Sequence, residues 1–137
     1  MRYYSTNNHH RLVELEEAVL KGLAPDQGLY MPERIEPLPL SFWKNIDSFP
    51  YQEMSFHVAK QLLGNAVPEE DLRSMVMHTL SFDTPVVEVQ KDVFSLELFH
   101  GPTLAFKDVG ARFLSGLLGF FAWKQKREVT ILVATSG

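Results

Sequence analysis

Two spacings of apolar residues alternate along the chain, and the switches between them outline its elements. In "RLVELEEAVLKGL" (11–23), Leu12, Leu15, Val19 and Leu23 fall near one face with charges between them. That pattern predicts an amphipathic helix, weakened at Gly22 and stopped by Pro25. "MRYY" ahead of it reads as a short strand. The helical spacing returns in "YQEMSFHVAKQLLG" (51–64) and "VPEEDLRSMVMHTLSF" (67–82). Gly64 is placed to cap the first, and Pro68 with Glu69, Glu70 and Asp71 suits the start of the second. These two helices are expected to pack together and to bury Phe56, Leu63, Leu72 and Met75, with Met77 in or near the core. "TPVVEVQ" and "VFSLELF" alternate with period two and are joined through Lys91-Asp92, so they predict an antiparallel hairpin. A last helix is expected from about Leu104 to Lys126, its "FLSGLLGFF" buried with small residues at close contacts. "VTILVA" (129–134) is continuously apolar, the mark of a fully buried strand.

Turn chemistry fills the gaps. "APDQGLYMPE" (24–33) turns around Pro25-Asp26 and Gly28, then runs through a short apolar "LYM" to Pro32. "PERIEPLPLS" is a proline-spaced extended connector. The fold class that follows is mixed α/β. Residues 1–85 form a mostly helical N-terminal domain with a short strand. Residues 86–137 hold the hairpin, the long helix and the first buried strand of an α/β domain.

Composition narrows the function classes. The chain has 137 residues, 45% hydrophobic and 22% charged, in the range of soluble globular proteins. Its formal net charge of −4 argues against a broad nucleic-acid or anionic-membrane surface. It has no cysteine, which excludes disulfides, thiolate zinc sites and a thiol nucleophile. The histidines show no metal-ligand spacing, so no metal is expected. "MRYYSTNNHH" lacks the apolar core of a signal peptide, and "FLSGLLGFFAW" falls short of the ~20 residues a membrane-spanning helix needs. A cytoplasmic protein is expected, with neither nucleic acid nor membrane as a partner.

The candidate chemistry centres on "ELFHGPTLAFKD" (97–108). A lysine in water titrates near about 10.4 and is not nucleophilic. Burial among apolar groups lowers that value and frees the amine to attack a carbonyl. Leu104, Ala105 and Phe106 precede Lys107, and a Gly-Pro turn precedes them. The same residues also suit a first-turn lysine lying over Phe106 and paired with Asp108. Asp108 is placed to complement the helix dipole, Thr103 to cap the helix, and His100 to line a pocket or close the turn. At the far end, Thr135, Ser136 and Gly137 follow the strand, where hydroxyls and backbone N–H groups can grip a carboxylate or phosphate.

"FHGPTLAFKDVGARFL" closely resembles the lysine motif of the threonine synthase family. "GLAPDQGLYMPE" resembles that family's N-terminal signature, with Gln27 where a glycine is expected. "YYSTNN" fits the family's Tyr-Ser-Thr start, with Asn7 in place of an arginine, and "ILVATSG" resembles the strand leading into a Ser-Gly-Asp-Thr-Gly loop. The resemblance implies a fold-type II enzyme that uses pyridoxal 5'-phosphate to convert O-phospho-L-homoserine and water to L-threonine and phosphate. It implies that Lys107 holds the cofactor as a Schiff base and then acts as base and acid. His100 to Thr103 would shape the turn presenting the lysine, and Thr135, Ser136 and Gly137 would contact the substrate carboxylate or the cofactor.

The family is several hundred residues long, and these residues end where the loop after the strand should begin. They are therefore expected to be the N-terminal part of a longer enzyme, inactive alone, with the cut edge at 129–134 prone to self-association. The alternative is a non-catalytic helical interaction or ligand-binding module related to the enzyme.

Overall fold

The computed structural model describes residues 1–132. The chain begins with strand β1 (Arg2–Ser5), which is flanked on one side by β2 (Asn8–Glu14) and on the other by β3 (Tyr30–Pro32). Both pairings are antiparallel, with Tyr3 opposite Val13 and Pro32. Alternation along β1 buries Tyr3 and Ser5. The Tyr3 hydroxyl donates to the Leu62 carbonyl oxygen at 2.9 Å, and burial, with a smaller push from Glu14, raises its pKa to about 12.

The helix expected over 11–23 is shorter than its pattern. Arg11–Glu14 belong to β2, and helix α1 spans only Leu15–Lys21, ending at Gly22 with φ 70°. The reason is long-range. β1 offers its ladder to β2, and Val13 is buried only when it pairs with Tyr3. That pairing outweighs the local helical spacing.

The turn between α1 and β3 is held through the Asp26 carboxylate. Asp26 Oδ1 accepts the Ser5 hydroxyl at 2.6 Å and the Gly28 N–H at 3.0 Å, and these bonds hold its carboxyl below the usual range. A Cβ on Gly28 would lie 2.0 Å from Ser5 Oγ, so only glycine fits. Gln27, the residue standing where a glycine is expected, has φ 66°. A left-handed non-glycine residue costs roughly 1–2 kcal/mol, and glycine returns part of that through unfolded-chain entropy. Gln27→Gly is therefore expected to stabilise the chain by about 0.5–1 kcal/mol. A urea titration should show the midpoint rising at constant slope; a falling midpoint would mean that side-chain contacts of Gln27 outweigh its backbone strain.

The proline-spaced connector runs extended into a short helix, α2 (Leu40–Lys44). Helices α3 (Tyr51–Leu63) and α4 (Glu69–Thr79) then pack together as expected, with Phe56, Leu63 and Leu72 buried and Met75 half-buried against the core. Gly64, with φ 63°, caps α3, and Pro68 is the N-cap of α4. Glu53 on α3 binds Arg73 on α4 through both carboxylate oxygens, which holds its carboxyl below the ordinary range. Met77 departs from expectation: it is 57% exposed, because α4 buries the Leu72–Val76–Thr79 face and Met77 points away from it.

Strands β4 (Val86–Gln90) and β5 (Val93–Leu96) form the expected hairpin, turning at Lys91-Asp92 with Asp92 at φ 62°. The last helix, α5 (Lys107–Lys124), lies across α1 and α4 and buries Leu117 and Phe121 in the common core. Gly116 permits the α4 contact, since a Cβ there would meet Met75 Cγ at 3.2 Å. Arg112 on α5 donates to the His78 carbonyl oxygen at the end of α4 and, at 3.0 Å, to Ser81 Oγ, a favourable place for a cation. At the other end Lys124 reaches Glu16 on α1 at 3.0 Å.

The buried strand expected at 129–134 does not form over its described part. Residues 129–132 have no regular structure, and Leu132 is 91% exposed. A strand needs a partner ladder, and no described strand pairs with this segment. Val133 and Ala134, with Thr135, Ser136 and Gly137, lie outside the described residues. Among the described residues no helix is long and apolar enough to cross a membrane.

Candidate active site at the start of the lysine helix

The site is built from the end of the hairpin, the connector 97–106 and the first turn of α5. The Glu97 N–H donates to the Pro85 carbonyl oxygen at 2.9 Å and extends the hairpin by one bond. The next residues turn away from it. His100 stacks on Phe99, ring centroids 4.7 Å apart, and its Nε2 lies 2.7 Å from Glu97 Oε2. A β-turn follows, closed by the Leu104 N–H on the Gly101 carbonyl oxygen at 3.0 Å. Pro102 holds its first central position, where the ring's fixed φ suits the turn. Leu104 then takes φ 55°, an uncommon conformation for a leucine.

Lys107 is the first residue of α5 and is exposed. The expectation that its own neighbours desolvate it is not met. Leu104 is 77% exposed and Phe106 66%, so the apolar run flanks the amine without enclosing it. Three residues on a turn cannot surround a long side chain; enclosure needs other elements packed over them. Among the described residues the Lys107 amine has neither an ion pair nor a hydrogen bond, so the pairing with Asp108 is absent too.

Asp108 lies in the first turn of α5, as expected, whereas Thr103 departs from expectation. Phe106, not Thr103, is the N-cap of α5, and no side chain caps that end. The Asp108 carboxylate turns back from the helix and is buried, 6% exposed. Its Oδ2 accepts the Thr103 N–H at 2.9 Å and its Oδ1 the Thr103 hydroxyl at 2.8 Å. A Cβ on Gly101 would lie 2.4 Å from Oδ2, so the turn closes on the carboxylate only with glycine there. The structure thus joins Gly101, Thr103 and Asp108 beside Lys107. The sequence signal for this clamp is the Gly-x-Thr-x4-Asp spacing, which is legible only once the turn is known to fold back.

Residues 2–80 match the sequence model of the family described as "Threonine synthase N terminus". The chain belongs to the threonine synthase family. Threonine synthase from Escherichia coli K12 is 37% identical over 137 residues, all of this chain and 32% of that protein; the Serratia marcescens enzyme is 38% identical over the same shares. The chain therefore spans about a third of the length of these curated relatives. Solved threonine synthases agree in fold. The Escherichia coli crystal structure superposes with a TM-score of 0.84 at 35% identity, over 89% of this chain and 28% of that one. The pyridoxal-phosphate-bound structure from Brucella melitensis gives 0.85 at 31% identity, over 92% of this chain and 28% of its own. The mixed α/β class read from the sequence is the class observed, in a threonine synthase setting.

Proposed function

We propose that this chain is the lysine-bearing part of a pyridoxal-phosphate-dependent lyase that converts O-phospho-L-homoserine and water to L-threonine and phosphate. The observation that carries the reading is Lys107. It stands exposed at the first turn of a helix, its amine unpaired among the described residues, in a chain that threonine synthases match along its whole length. The pyridoxal phosphate in the Brucella melitensis relative supports the choice of cofactor.

The described residues fit the cofactor at its point of attachment. An exposed amine on a clamped turn can take an aldehyde, and the cofactor, once bound, supplies the electron sink for carbanion chemistry. Lys107 Nζ holds it and afterwards moves protons at successive carbons of the substrate. In this reading residues 1–85 are an N-terminal domain, and residues 86–137 open the cofactor-binding domain. Thr135, Ser136 and Gly137 contact the substrate carboxylate or the cofactor. Excluding water from Lys107 requires a cover that the described residues do not form, since Leu104 and Phe106 stand open beside it.

The direct test is to supply the full-length protein with pyridoxal phosphate and O-phospho-L-homoserine. Phosphate and threonine should appear in equal amounts. Phosphate without threonine, or neither product, would overturn the assignment.

A further inference from the structure

Among the described residues Asp108 is the one buried carboxylate, and the proposed reaction gives it no part. Both of its oxygens are taken by donors of Thr103, five residues back, at 2.9 and 2.8 Å. Its own N–H donates to the Ala105 carbonyl oxygen at 3.1 Å. Gly101 packs directly on the carboxylate. Between these anchors the chain must pass through Leu104 at φ 55°, a conformation that persists only where surrounding bonds over-determine it. The clamp therefore ties the turn 101–106 to the first turn of α5. Lys107 lies inside the closed loop, one residue before the carboxylate.

We propose that Asp108 is a positioning residue for Lys107. Its carboxylate holds the Thr103 turn against the helix start and so presents the lysine amine in one direction. The proposal rests on the reading of Lys107 as the cofactor anchor. The role is geometric, and this sets it apart from a charge effect. An asparagine at 108 can accept the Thr103 N–H with its oxygen and donate its N–H to the Thr103 hydroxyl oxygen, so it keeps both bonds without the charge. An alanine keeps neither.

The experiment measures how fast full-length protein captures pyridoxal phosphate covalently, trapped by borohydride and with the modified residue located by peptide mapping, alongside the thermal midpoint. Asp108→Ala should slow capture by roughly 10- to 100-fold, the scale of an ångström-sized misplacement, while Asp108→Asn stays within about threefold of the starting protein. Asp108→Ala at the starting rate would overturn the proposal, and so would Asp108→Asn as slow as Asp108→Ala. Where Asp108→Ala does not fold, Thr103→Val carries the test by deleting only the hydroxyl bond; it should slow capture by about three- to tenfold, and an unchanged rate overturns the proposal. Lys107→Ala separates the two readings. If it still captures cofactor at the starting rate, the anchor is elsewhere and the functional reading fails. If it captures none while Asp108→Ala is normal, only the positioning role falls.

Discussion

Lys107→Ala in the full-length protein is expected to lower threonine formation by about 10³-fold or more, because in the proposed function one substitution removes the covalent anchor and the proton carrier together. The visible absorption band of lysine-bound cofactor should vanish with it. Stability should hardly change. Lys107 is exposed and makes no ion pair among the described residues, so its loss should move unfolding by no more than about 0.5 kcal/mol. This combination separates a chemical role from a structural one. A variant that keeps both the band and the turnover would remove Lys107 from the mechanism, and one that loses activity only by unfolding would make the residue structural.

Phe121→Ala should have the largest effect on the fold. Phe121 is 1% exposed and lies where α5 meets the core shared with Tyr3, Leu15 and Leu72. Replacing a buried phenylalanine by alanine costs about 3–5 kcal/mol through lost transfer energy and the cavity left behind. That is a large share of the ~5–15 kcal/mol that holds a typical domain folded. The expected result is a fall of roughly 10–15 °C in the thermal midpoint, or a chain that does not fold at all. Trp123, two residues on, is the control. It is 81% exposed, and Trp123→Ala should shift stability by no more than about 0.5 kcal/mol. Equal effects at the two positions would contradict the face of α5 assigned to the core.

The elements most legible in the sequence were those whose signals are local. Gly64 and Pro68 delimit α3 and α4 because a glycine C-cap and a proline helix start need no distant partner. The hairpin followed from alternation on either side of Lys91-Asp92, and the lysine motif was readable as a string of residues. Where the structure departs from the local pattern, the reason lies in packing. Residues 11–14 have helical spacing yet form β2, because β1 offers a ladder that only the folded chain supplies. Residues 129–132, expected as a buried strand of the longer enzyme, find no ladder to join among the described residues. Met77 shares its helix with Leu72 and Val76, but its angular position on α4 places it outside the contact.

By itself the sequence determined most of the element types, the family and the lysine proposed to carry the chemistry, because propensity, capping and motif act over a few residues. Tertiary structure alone decided that the strand β1 holds neighbours on both edges and that α5 closes the core through Phe121. It also decided that the Asp108 carboxylate, in the first turn of α5, takes its hydrogen bonds from Thr103. A buried carboxylate must find donors, and which donors are in reach depends on how the turn at Gly101 folds back. The same dependence leaves Lys107 open: its apolar neighbours have the right character for a dry site, but dryness comes from what packs over them.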